Sequence, residues 1–125
     1  MEKFEQLLAK METAWNAGDY ETWASVFAPD AEFVNIYGAH RTGRDHIRDS
    51  HKRIFGGIYK DSHNVFTLER VRSIAPKVTG LLVFSKLVHK TGGHDARMVM
   101  IVDETSGAPL ITWFHNCLVA EPRPR

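Results

Sequence analysis

A single cysteine, Cys117, rules out an intramolecular disulfide and any multi-cysteine zinc site. It falls in an apolar strand pattern, so a buried structural thiol is expected. Charge of one sign is missing too. Sixteen Lys and Arg stand against fifteen Asp and Glu, which argues against nucleic acid as a partner, because that wants a clustered basic surface. The local basic excess from Arg41 to Arg53 is interleaved with Asp45 and Asp49 and reads as a solvated helix face. No run approaches the ~20 apolar residues of a membrane span, and the opening Met1-Glu2-Lys3-Phe4-Glu5 has no apolar stretch of a signal peptide. The expectation is a soluble, cytoplasmic protein. No glycine-rich phosphate loop and no dinucleotide fingerprint is present, so no cofactor is expected. The seven histidines are scattered, with His46 and His51 five apart rather than four, so no metal is expected either.

What the chain does have is clear periodicity. Phe4, Leu7, Leu8, Met11, Ala14 and Trp15 fit one face of a helix. Gly18 suits a left-handed C-terminal cap, and Asp19 caps a second helix with Tyr20, Trp23, Ala24 and Phe27 on its apolar face, ended by Pro29-Asp30. Ala31 to Tyr37 reads as a strand with Phe33, Asn35 and Tyr37 on one side. Thr42 and Asp45 match a capping box. The helix they open carries Ile47, His51, Ile54 and Phe55 along its stripe, and Gly56-Gly57 stops it.

Beyond that the period becomes two. Four strands are expected, Asn64 to Ile74, Lys77 to Lys90, His94 to Glu104 and Pro109 to Ala120, laid antiparallel by three hairpin-sized breaks. The order predicts an α+β fold: one domain over residues 1–125, with 1–120 as ordered core and 121–125 as a fraying tail. A curved antiparallel sheet packed on three N-terminal helices makes a cone with an open end, and such concavities hold ligands.

The segments Ala14-Trp15-Asn16-Ala17-Gly18-Asp19, Phe27 to Asn35, Gly43-Arg44-Asp45-His46-Ile47 with His51 and Phe55, and His115-Asn116 resemble the nuclear-transport-factor-2-like (SnoaL-like) superfamily. Within it they look most like the SgcJ/EcaC family. The resemblance implies a cone-shaped cystatin/NTF2-like roll, a hydrophobic cavity for a small hydrophobic molecule, and frequent homodimers through the outer sheet face. It does not imply one chemistry, because the fold hosts enzymes and non-catalytic modules alike.

Candidate site residues follow. His51 holds a stripe position where a helix would normally place Leu. It is either a core histidine with one hydrogen bond or a pocket imidazole acting as acid, base or ligand donor. On the last strand, alternation groups Ile111, Trp113, His115 and Cys117 against Leu110, Thr112, Phe114 and Asn116. Both groups are largely apolar, and the family pattern turns the His115 side inward; the opposite facing would make Phe114 and Leu118 pocket residues. With His51 and His115 as the catalytic pair, Asn35 and Tyr37 would orient the substrate, and Trp15, Trp23, Phe33, Phe55 and Trp113 would form the wall. That set suffices for proton transfer in an isomerisation, dehydration or cyclisation without a cofactor. A non-catalytic ligand carrier and a purely structural dimerisation module are the rival readings. An inward carboxylate is lacking, with Glu69 and Asp103 the only ones whose facing alternation leaves open.

Overall fold

A computed structural model describes residues 2–120; the tail expected at 121–125 lies outside them. Among the described residues the order is α1 (Glu2–Asn16), α2 (Tyr20–Ser25), β1 (Phe27–Val34), β2 (His40–Thr42), α3 (Arg44–Phe55), β3 (His63–Ala75), β4 (Val78–His89), β5 (Gly92–Asp103) and β6 (Leu110–Leu118). The six strands form one curved, unclosed sheet in the order β2-β1-β6-β5-β4-β3. Neighbours pair antiparallel except β1 and β6, which run parallel. This is the expected α+β roll.

The predicted α1 stripe is buried in full, and it packs against β3. Gly18 has φ +66°, as its place after the helix requires. Asp19 then accepts the Thr22 amide at 3.0 Å and the Thr22 hydroxyl at 2.6 Å, capping α2.

The second helix stops earlier than its apolar pattern suggests. Phe27 is not on the helix but opens β1, paired with Ile111 of β6 and wholly buried. Pro29 does not end a helix; it lies where the β1–β6 register shifts between Phe27 and Glu32, a place that tolerates a residue with no N–H. The strand also ends sooner, at Val34. The Asn35 Oδ1 accepts the amides of Tyr37 and Ala39, both at 2.9 Å, so Asn35 to Ala39 is a side-chain-nucleated turn and not a strand end.

The capping box on α3 does not form. Thr42 still belongs to β2, opposite Glu32, and gives its hydroxyl to Glu32 Oε1 at 2.7 Å. Gly43 takes the cap position with no side-chain bond.

The four long strands lie where period two places them, within a few residues at their ends. Strict alternation breaks in β3, where the pairing with β4 skips Glu69 and Ile74, and again in β6. The pairing of β6 with β5 runs Ile101 to Trp113 and then Val102 to Ile111, leaving Thr112 as an extra residue in a bulge. The bulge reverses the facing. Ile111 points into the core, and Phe114 follows it there. Trp113 and His115 are turned to the outer face, and Trp113 is half exposed. The inward assignment of the His115 side is therefore corrected. Cys117 is exposed on the same outer face rather than buried.

Candidate functional site

The concave side of the sheet, α3 and the tryptophans of α1 and α2 enclose an open cavity of about 220 Å³. At its base Phe33 of β1 and Phe114 of β6 stack with centroids 4.5 Å apart and planes 2° apart. Trp15 and Trp23 stand edge to face at 5.2 Å and wall one side. His51 comes in from α3 and is 3% exposed.

His51 is surrounded by rings. Trp23 lies 5.2 Å away, Phe33 is perpendicular at 5.1 Å, and Phe55 is at 5.8 Å. The ring's Nδ1 donates to the carbonyl oxygen of Ile47 at 2.7 Å. That bond fixes the tautomer: the proton sits on Nδ1, and Nε2 carries the lone pair. Burial pushes the imidazole pKa down to about 4, against the opposing effect of the Ile47 bond. At neutral pH His51 is thus an uncharged hydrogen-bond acceptor on the cavity lining.

Two buried side-chain polar atoms among the described residues have no partner. The indole Nε1 of Trp23 and the Oδ1 of Asn116 are both sealed from solvent and unbonded, although Trp23 and Asn116 both line the cavity. Trp15, by contrast, is satisfied, giving its indole proton to the Ser62 hydroxyl at 2.9 Å. Asn64 and Ser85 also line the wall and are bonded to each other, Ser85 Oγ to Asn64 Oδ1 at 2.7 Å.

The mouth is more polar. Tyr37 is 77% exposed there, and the neighbouring Tyr59 is half-buried. Burial first, and the Tyr37 phenol second, push Tyr59 up to about 12, so it stays a neutral donor. Burial and the nearby His89 hold His94 below the ordinary imidazole range. Arg41 and Arg53 complete the rim.

Of the residues expected in the site, His51, Asn35, Tyr37, Trp15, Trp23 and Phe33 line one cavity. Asn35 contributes little there as an acceptor, because its oxygen is held by the turn. Phe55 stands behind His51, against Trp15 at 4.8 Å, and does not reach the lining. His115 and Trp113 are outside the cavity altogether, so the two-imidazole pair is not assembled. Glu69 pairs with Arg97 at 2.8 Å and Asp103 accepts the Thr105 amide at 2.8 Å; no Asp or Glu lines the cavity among the described residues. No cluster of three metal-ligating side chains is found among the described residues.

Asn64 and Ser85 were not singled out by sequence, and Asn116 entered only through the His115-Asn116 resemblance, not as a site residue. Each had a signal: a small polar residue on an otherwise apolar alternating face, as Ser85 is between Val83 and Leu87.

Residues 8–103 match the family model of the SnoaL-like domain. The chain belongs to the SnoaL-like domain family. No curated protein matches it in sequence. Solved structures agree on the fold. An uncharacterized protein with a cystatin-like fold from Caulobacter vibrioides shares 29% identity at a TM-score of 0.85, covering 95% of this chain and 89% of that one. An NTF-2 like protein of unknown function from Shewanella oneidensis gives 18% identity and a TM-score of 0.83, over 93% and 97% of the two chains. A ketosteroid isomerase-like protein from Erwinia carotovora atroseptica gives 9% and 0.79, over 95% of each. In this SnoaL-like domain the cavity sets one buried imidazole, His51, against the stacked rings of Phe33 and Phe114.

Proposed function

We propose that this is a small-molecule-binding cone protein whose ligand is largely apolar and carries an oxygen at its inner end. One observation carries the reading: His51, with Nδ1 bonded inside α3, is left with a lone pair on Nε2 in a cavity walled by aromatic rings. A ligand hydroxyl can donate to that nitrogen. A rigid apolar wall with a few placed polar groups is the usual form of such sites.

Proton-transfer chemistry of the isomerase, dehydratase or cyclase type is the second reading, favoured by the same neutral imidazole. His51 would then be the sole catalytic residue, abstracting a proton through Nε2. A conjugate acid at about 4 makes it a weak base, and no lining carboxylate stabilises an imidazolium. Binding is therefore the stronger reading. The likeness to a ketosteroid isomerase-like protein at 9% identity speaks for the cone, not for a steroid substrate.

The same reading takes residues 1–125 as one cytoplasmic domain of the SgcJ/EcaC type, with 1–120 as its core and a homodimer formed through the outer sheet face. Support for the dimer is the apolar patch of Trp113 and Val99, 50% and 49% exposed, on neighbouring strands. The test of the cavity is saturable binding of 2-naphthol, followed by quenching of tryptophan fluorescence. A chain that shows no saturable binding would refute the reading.

A further inference from the structure

We propose that the cavity's molecule is a small ring acid, with its apolar body on the aromatic floor and its carboxylate at the mouth between Arg41 and Arg53. The inference rests on the ligand-binding reading above and names the class of ligand.

Charge comes first. Arg41 and Arg53 carry the only full charges on the cavity lining among the described residues, and both are positive. They come from different elements, Arg41 from β2 and Arg53 from the last turn of α3. The other arginines of this region are committed elsewhere. Arg44 donates twice to the Phe27 carbonyl, at 2.8 and 2.6 Å. Arg48 pairs with Asp49 at 3.1 Å and with Asp45 at 3.3 Å. Arg41, by contrast, makes a bond to the carbonyl of His40 at 3.0 Å, and neither Arg41 nor Arg53 meets a carboxylate among the described residues. The interleaved acids of α3 thus neutralise one arginine and leave another free at the rim. Guanidinium groups match carboxylates in geometry as well as charge.

Size comes second. A cavity of about 150 Å³ suffices for benzene, and drug-sized ligands occupy about 300 Å³ or more. At about 220 Å³ this one suits a substituted ring or a fused pair of rings. The hydroxyl of such a molecule donates to His51 Nε2 at the inner end, and its acid remains at the wet end. Little desolvation cost falls on the carboxylate there.

The probe is 6-hydroxy-2-naphthoate, compared with its methyl ester, on the wild-type chain and on an Arg41→Gln/Arg53→Gln double variant. The wild type is expected to bind the acid about tenfold or more tighter than the ester. That preference should shrink as salt is raised, a readout that needs no variant. The double variant should bind acid and ester alike, with the ester's affinity unchanged. Equal binding of acid and ester by the wild type, or a preference kept by the double variant, overturns the carboxylate assignment and leaves the cavity reading standing. Failure of both probes to bind overturns the two together.

Discussion

His51 Nδ1 donates to the Ile47 carbonyl one turn back on α3, at 2.7 Å. This bond decides what the histidine is for. It satisfies one nitrogen within the helix, and so leaves the other as the ring's only polar atom toward the cavity. Burial among four aromatic rings then keeps that atom uncharged.

The first consequence is in stability. An imidazole at about 4 in the folded chain and 6.5 unfolded binds fewer protons when folded. Stability is therefore full above about pH 6.5 and falls as pH drops towards 4, by about 3 kcal/mol. His94, also held low, acts in the same direction. Urea unfolding at pH 7 and pH 4.5 should show the loss, and His51→Gln should flatten most of it. A wild-type midpoint independent of pH in this window would contradict the buried neutral imidazole.

Asn116 should behave as a residue kept at a cost. Its Oδ1 is sealed and unpartnered, and replacing such a group by an apolar one of similar shape is neutral or stabilising by about 1 kcal/mol. Asn116→Leu should leave the melting temperature unchanged or raised in thermal unfolding. A less stable variant would mean that Asn116 has a structural partner.

Much of this architecture was legible in the sequence. The α1 stripe, the Gly18–Asp19 junction and the four long strands are local patterns, and local patterns survive folding. The inward stripe position of His51 was legible for the same reason. The errors share a physical cause, which is that pairing partners decide facing and strand ends. Thr42 could not cap a helix while paired with Glu32. Phe27 was drawn into β1 by Ile111. A bulge at Thr112 turned His115 out and Phe114 in, and no alternation rule contains a bulge. Where both faces of a strand are apolar, as in β6, a one-residue slip leaves no mark in the sequence.

That outer face makes its own prediction. Trp113 sits opposite Ile101, and Val99 opposite His115, on the side away from the helices. In the proposed homodimer this patch is covered. The wild-type chain should sediment at twice the chain mass, and Trp113→Glu should sediment as a monomer with its circular dichroism preserved. A wild-type monomer at high micromolar concentration would refute this part of the account.

The central claim is that His51 Nε2 receives a ligand hydroxyl inside the cone. Its most direct test compares 2-naphthol with naphthalene on the wild type and on His51→Phe, which keeps a ring in place but removes the acceptor. The account predicts that the wild type prefers naphthol by about tenfold, the worth of one hydrogen bond in a dry site, and that the preference falls towards unity in a folded His51→Phe variant. An undiminished preference in that variant would contradict it.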